Sequence, residues 1–288
     1  MSHVPLDFAV IGDPVAHSIS PAIHGAAFAA LGLPHRYQRA PTKADELATR
    51  VAELRAGRWA GLNVTVPHKV AALSLADHAR DDAARTGASN TLLAGSGGAV
   101  IAENTDVHGL VADWTRLAVR TERALILGAG GAARAAMLAA ARVGARVAIA
   151  ARRRSSAADV TAALGFGEVV EWEAIDAAGG FDMVINATSA GMQGADEGRA
   201  IADALISATL DSRSTAYDLV YRPWPGRRET PFIAEARARG LAAHDGLGML
   251  VFQAARALEL WLDRPLGPPV VEAMMAAARV AIDAPANG

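Results

Sequence analysis

Apolar and polar positions along this chain follow two rhythms, and the changes between them mark the elements. Phe8 to Ile11 is a short apolar run stopped by Gly12-Asp13-Pro14, which predicts a buried strand ending in a turn. Ser20-Pro21 then opens an apolar-periodic stretch that predicts a helix to about Leu31, with Ser20 as N-cap and Gly32 as the stop. A second strand is predicted over His35 to Ala40 and a helix over Lys43 to Ala56. Gly61 to Val66 reads as a third strand, ended by Pro67, followed by helices over Lys69 to Leu75 and Asp81 to Thr86. Strands over Thr91 to Ala94 and Ala99 to Ala102 flank the turn Gly95-Ser96-Gly97-Gly98, and a helix follows over Val107 to Leu117.

The alternation then resumes, with strands over Leu125 to Leu127, Ala145 to Ala150, Phe181 to Ala187 and Thr215 to Tyr221. An apolar helix over Met249 to Leu262 and a last one over Pro269 to Ile282 close the pattern. Such alternation predicts a parallel sheet covered on both faces. At 288 residues the chain has room for two domains, and neither a repeat nor a Gly/Ser linker divides it. The expected architecture is α/β with two domains. Residues 1–106 form an N-terminal α/β lobe, residues 107–245 a Rossmann-type lobe, and residues 246–288 helices that return to the first lobe. A cleft between two such lobes would set a ligand against a bound cofactor.

The cofactor is announced by the turn after the Leu125 strand. Gly128, Gly130 and Ala133 fill the three small positions of G-x-G-x-x-G/A, and an alanine-rich helix follows directly. The first makes a tight turn, the second lets backbone approach a pyrophosphate, and the third packs helix on strand. Any tight strand-to-helix turn wants glycine, so the βαβ context is what strengthens the reading. After the next strand the chain runs Ala151-Arg152-Arg153-Arg154-Ser155-Ser156, with no acid before Asp159. An NAD site needs a carboxylate there for the ribose 2′-hydroxyl, whereas arginine forks suit the 2′-phosphate of NADP. A solvated basic loop is the bland alternative.

Composition narrows the chemistry. There is no cysteine, which excludes disulfides, thiol catalysis and a zinc ribbon. Net charge is −2, so no basic field argues for nucleic acid. No stretch is long and apolar enough to predict a membrane span, and no signal-peptide pattern opens the chain. No histidine pair has metal-ligand spacing. The expectation is a cytoplasmic protein acting on a small molecule, as monomer or homodimer, without metal, membrane or nucleic-acid partners.

Polar clusters lie at predicted strand ends and helix starts: HSISP (His17–Pro21), NVTVPHK (Asn63–Lys69), GASNT (Gly87–Thr91) and ENTD (Glu103–Asp106). Together with GAGGAA, NATSAGM (Asn186–Met192) and DGLGMLVFQ (Asp245–Gln253), they closely resemble the shikimate dehydrogenase family, in order, from about Phe8 to Leu262. The resemblance implies NADP-dependent reduction of 3-dehydroshikimate to shikimate, on the route to aromatic amino acids. Ser18, Ser20, Asn63, Thr65 and Asn90 supply hydroxyls and amides that both donate and accept, as a polyhydroxy carboxylate requires. In the family the two serines bind the substrate carboxylate; helix capping is the plain reading of Ser20. Asn63 and Thr65 alternate in the predicted strand and so share a face, with Leu62, Val64 and Val66 as the expected buried flank. An exposed polar face is the alternative.

Lys69 and Asp106 match the family's catalytic pair. The lysine gives a proton to the oxygen left by hydride transfer, and the aspartate keeps it placed. Read bare, Lys69 is an exposed lysine at a helix start and Asp106 an N-cap before Val107. His68 reads as packing. The resemblance further assigns Gly128, Ala129, Gly130, Gly131, Ala132, Arg152, Arg153, Thr188, Leu219 and Gly246 to NADP, and Tyr221 and Gln253 to the substrate. Two departures stand out. The usual Asn-Arg-Thr after the second Rossmann strand is Ala151-Arg152-Arg153 here, so Arg153 or Ser155 must substitute for the missing hydrogen bonds. Arg222 to Glu229 is inserted between Tyr221 and Thr230-Pro231, as a flap or a surface contact. Readings left open are a quinate/shikimate enzyme of the same family and a non-catalytic NADP-binding regulator.

Overall fold

The computed structural model describes residues 4–192, 196–221 and 229–283. It divides into two compact units, residues 1–109 with 250–288 and residues 110–249. In the first unit β1 (Asp7–Gly12), α1 (Ser20–Ala30), β2 (Arg36–Pro41), α2 (Leu47–Arg55) and β3 (Gly61–Val64) follow one another. Then come α3 (Lys69–Ser74), β4 (His78–Ala79), α4 (Asp81–Thr86), β5 (Thr91–Ala94), β6 (Val100–Glu103) and α5 (Thr105–Arg116). The sheet order is β2-β1-β3-β5-β6-β4. It is mixed: β1 pairs parallel with β2 and β3, but β5 is antiparallel to both β3 and β6. The Gly95–Gly98 turn accounts for the β5–β6 pair, because a connection that short returns as a hairpin and cannot make a parallel crossover. Leu54, Leu62 and Leu92 are fully buried in this unit, each worth about 2 kcal/mol of burial.

The second unit contains β7 (Arg123–Leu127), α6 (Gly131–Arg142), β8 (Arg146–Ala150), α7 (Arg154–Leu164), β9 (Glu168–Val169) and β10 (Met183–Asn186). After them come α8 (Arg199–Ser207), β11 (Thr215–Asp218), α9 (Pro231–Ala238) and β12 (Ala242–Asp245). Here the sheet is wholly parallel in the order β12-β11-β10-β7-β8-β9, the doubly wound arrangement. Ala133, Ala135, Ala136, Ala139 and Ala140 of α6 are all fully buried. Their small side chains let the helix lie close to the sheet, so the start of α6 sits tight against the end of β7.

Two helices complete the chain, α10 (Leu247–Leu262) and α11 (Pro268–Asp283). α11 packs on α1. Trp261 of α10 lies against Phe8, with centroids 5.0 Å apart, and its indole N–H donates to the Leu92 carbonyl at 3.1 Å. A Cβ on Gly61 would overlap that indole ring, so only glycine admits the tryptophan there. The chain passes between units inside α5 and inside α10. Within the second unit both helices are fastened at Asp113. Tyr217 Oη donates to Asp113 Oδ2 at 2.7 Å, Arg116 pairs with Oδ1 at 2.7 Å, and a Cβ on Gly248 would overlap the same carboxylate.

Three expected boundaries are corrected. α1 begins at Ser20, so Ser20 sits in the first turn and Ile19 holds the cap position. β3 ends at Val64, and Val66 is 65% exposed, so neither Thr65 nor Val66 belongs to the strand. α5 begins at Thr105, which places Asp106 inside the helix and ends its reading as an N-cap.

Candidate functional site

In the first unit the polar residues predicted from sequence gather around one carboxylate. Lys69 opens α3, and its Nζ lies 2.6 Å from Asp106 Oδ2, with the two side chains 24% and 8% exposed. A lysine at a helix start meets the unfavourable end of the dipole; the buried partner carboxylate compensates. Asp106 is free for this role because Asn104 does the capping, its Oδ1 accepting the Asp106 N–H at 3.1 Å. Asn104 is itself held, donating to Thr86 Oγ1 and the Ala88 carbonyl at 3.0 Å each. His68, directly before Lys69, is buried and committed elsewhere: its Nε2 donates to the Thr42 carbonyl at 2.7 Å.

Asn90 connects the cluster. Its Nδ2 donates to Asp106 Oδ1 at 2.8 Å and lies 3.3 Å from Gln253 Oε1 on α10. Its Oδ1 accepts the Thr105 backbone N–H at 2.8 Å. Asn63, buried on β3, donates through Nδ2 to the Asn90 carbonyl at 3.2 Å and to Thr91 Oγ1 at 3.0 Å. Lys69, Asp106, Asn90, Asn63 and Gln253 are therefore in one hydrogen-bonded assembly, although they come from five different elements or loops. Thr65 is not part of that assembly. It is half-buried in the turn beyond β3, its N–H donating to the Ile11 carbonyl at 2.9 Å. A Cβ on Gly12 would overlap Thr65 Cγ2, so the absence of a side chain at Gly12 makes room for the threonine.

The serine pair shares one motif. Ser18 Oγ accepts the Ser20 N–H at 3.2 Å and donates to Ser20 Oγ at 3.1 Å. The helix start has no side-chain cap, and the Arg39 guanidinium donates to the Ser18 carbonyl at 2.9 Å. Two hydroxyls and a helix start are a fitting anion receptor. Tyr37, which sequence reasoning passed over, is the donor to Asn63 Oδ1 at 2.6 Å. No motif marks it, since a tyrosine in a strand looks like any core aromatic.

The second unit carries the residues expected to hold a dinucleotide. Gly128 has φ +116°, and a Cβ there would meet Thr188 Cγ2 at 2.8 Å, so the turn needs glycine twice over. Gly130 caps α6 with no side-chain hydrogen bond, and a Cβ built on it meets open space. The exposed N–H groups of a helix start and an unfilled glycine cradle fit a pyrophosphate. Gly246 lets the chain pass the Leu219 carbonyl oxygen, which a Cβ would overlap. Arg154 is engaged by Glu171, whereas Arg152 and Arg153 are exposed and, among the described residues, paired with no carboxylate. Tyr221 is half-buried just beyond β11, and the insertion after it lies outside the described residues from Arg222 to Arg228. Among the described residues no group of three His, Cys, Asp or Glu could hold a metal ion, and no helix is long and apolar enough to cross a membrane.

Thr188 is placed by a buried carboxylate. Its N–H and Oγ1 both donate to Asn186 Oδ1, at 3.0 and 2.7 Å, and Asn186 Nδ2 donates to Asp218 Oδ1 at 2.8 Å. Burial pushes the Asp218 carboxyl up to about 7, against the pull of donors from Thr230, Val220 and Asn186. A carboxyl raised in the folded state contributes stability that is fully present below its unfolded value, near 4, and lost as pH rises through about 7. Asp218→Asn keeps the acceptor for Asn186 and removes the titration. Its stability, relative to the parent protein, is therefore expected to rise from about pH 4 to about pH 7, by at most about 1.4 kcal/mol per pH unit, read from thermal unfolding across that range. Parallel pH profiles for the two proteins would refute this.

The family model for the shikimate dehydrogenase substrate binding domain matches residues 10–92. A shikimate dehydrogenase (NADP(+)) of Sphingopyxis alaskensis is 42% identical over 265 residues, 90% of this chain and 91% of that protein. The crystal structure of a shikimate 5-dehydrogenase from Thermus thermophilus, in complex with NADP(H) and shikimate, superposes with TM-score 0.84 at 35% identity, covering 96% of this chain and 99% of that one. The ligand-free 5-ketofructose reductase of a Gluconobacter species gives TM-score 0.77 at 30% identity over 96% and 99% of the two chains. Likeness this high over nearly the whole length settles the kinship: the chain belongs to the shikimate dehydrogenase family.

Proposed function

We propose that the protein is an NADP-dependent oxidoreductase that interconverts 3-dehydroshikimate and shikimate in the cytoplasm, as monomer or homodimer. The observation that carries this reading is the Lys69–Asp106–Asn90 assembly, in which the half-buried lysine meets a buried carboxylate. NADPH, when bound, supplies the hydride that reduces the ring ketone. Lys69 gives a proton from Nζ to the carbonyl oxygen as negative charge develops there, and takes one back from the hydroxyl in the reverse direction. Asp106 orients Lys69 and accepts a hydrogen bond from the same substrate hydroxyl. Asn90 fixes the carboxylate rotamer, so the pair is organised before substrate arrives. Ser18 and Ser20 receive the carboxylate, and Asn63, Thr65, Gln253 and Tyr221 contact the ring hydroxyls. The Gly128–Ala132 turn, Thr188, Leu219, Gly246, Arg152 and Arg153 hold NADP.

A family neighbour named as a 5-ketofructose reductase means that architecture alone does not choose the substrate. The paired serines do, because they suit a carboxylate, which a neutral sugar lacks. The deciding experiment is one turnover assay with purified protein, offering shikimate or quinate with NADP or NAD. Shikimate with NADP is expected to give the highest kcat/KM. Faster oxidation of quinate would replace the substrate assignment, and no turnover with any pair would favour a cofactor-binding regulator.

A further inference from the structure

Tyr37 belongs to no motif, yet it ends a directional chain of hydrogen bonds. Its ring lies flat on His24, with centroids 4.0 Å and planes 4° apart. Burial pushes the His24 imidazole down to about 3, against a weaker pull from Asn63, so the ring stays neutral. Neither of its nitrogens has a partner in hydrogen-bond geometry. His24 thus acts as a flat apolar platform, and the stack fixes the direction of the Tyr37 phenol. That phenol is also buried, which keeps it protonated and a donor against a weaker pull from Ser20.

The polarity of the chain follows from one obligate acceptor. One amide atom of Asn63 lies 3.2 Å from the Asn90 carbonyl oxygen, which can only accept. That atom must be Nδ2, and Oδ1 therefore faces Tyr37, whose hydroxyl donates to it at 2.6 Å. The second N–H of Asn63 goes to Thr91 Oγ1 at 3.0 Å. Thr91 then donates to Asn90 Oδ1 at 3.1 Å, and Asn90 to Asp106 Oδ1 at 2.8 Å.

We propose that Tyr37 is a positioning residue for substrate binding: stacked on His24, it locks the side-chain amide of Asn63. The inference rests on the reading that Asn63 contacts the substrate. Its reach toward the Lys69–Asp106 pair ends at Asn63. Asn90 is anchored separately by the Thr105 backbone N–H at 2.8 Å, so the Lys69–Asp106 pair keeps its geometry without Tyr37. The signature is thus a change in KM with little change in kcat.

The test is steady-state kinetics of the full chain with shikimate and NADP. Tyr37→Phe keeps the ring and its stack and removes only the hydroxyl. The expected result is a rise in KM for shikimate of about five- to tenfold, as for the loss of one hydrogen bond, with kcat within about twofold and KM for NADP unchanged. Asn63→Ala raises KM at least as much, and adding Tyr37→Phe to it raises KM no further. An unchanged KM in Tyr37→Phe overturns the proposal. An effect of Tyr37→Phe that persists undiminished on top of Asn63→Ala also overturns it. An unchanged KM in Asn63→Ala instead overturns the placement of Asn63 at the substrate. Should Tyr37→Phe accumulate poorly, proton NMR of the parent protein decides. A Tyr37 hydroxyl proton protected from exchange, and lost from view in Asn63→Ala, supports the lock; a freely exchanging one refutes it.

Discussion

Lys69→Ala lowers kcat by about a hundredfold or more, the usual cost of losing a general acid–base. The loss falls on kcat because the proton moves in the transition state, whereas KM reports binding that exists before it. Affinity for NADP is expected to stay near that of the parent, since the residues assigned to the cofactor all come from the other unit. Asp106→Asn costs activity and also weakens shikimate binding. It keeps an acceptor for Asn90 but removes the charge that holds the lysine 2.6 Å away. Because the two residues act as one unit, the double variant is expected to be less impaired than the product of the singles. Stopped-flow and steady-state kinetics with shikimate check all three. Near-normal kcat in Lys69→Ala, with a raised KM, would make Lys69 a binding residue. The proton donor would then have to be an ordered water. His68 is a poor substitute, because its Nε2 is engaged with the Thr42 carbonyl.

The parts of this molecule that follow local rules are legible in its sequence. The βαβ turn at Gly128 is dictated by a positive φ and a close approach to Thr188, and both demands are written as glycine. The helix over Asp81–Thr86 is bounded by its own flanking signals, including the Gly87 C-cap with φ +64°. Helix starts depart from expectation by a residue or two, as at α1 and α5. At α5 Asn104 replaces Asp106, whereas at α1 the cap position falls to Ile19 with no side-chain cap and Ser18 bonds the Ser20 N–H. Both departures leave the predicted site residue free for other contacts. Several second-unit elements, α7, α8 and β12, carry no clear periodic signal, and α9 is marked only at its start, by Thr230 before Pro231. Alanine is frequent in all of them and weakens the contrast between apolar and polar faces on which periodicity depends. Tyr37 is invisible for a different reason. Its role depends on a stacking partner thirteen positions earlier and an amide on β3, which no linear pattern records.

The arginine run after β8 yields the second large effect. Three arginines in sequence suggest phosphate recognition, and the structure divides them. Arg154 is engaged by Glu171, while Arg152 and Arg153 reach no carboxylate among the described residues and lie just past the strand end where a 2′-phosphate binds. NADP is expected to exceed NAD in kcat/KM by at least about tenfold, the worth of one charge-assisted contact to phosphate. Arg152→Asp removes that contact and repels the phosphate. It should lower kcat/KM for NADP by about tenfold or more and leave NAD little changed, because NAD lacks the group being recognised. Arg154→Ala is the internal control. It breaks an exposed pair with Glu171, worth at most about 1 kcal/mol of stability, and should leave the cofactor ratio intact. Equal efficiency of the parent enzyme with both cofactors would remove the phosphate role from this loop. A collapse of the ratio in Arg154→Ala would move it from Arg152 to Arg154 and require the Glu171 pair to open when NADP binds.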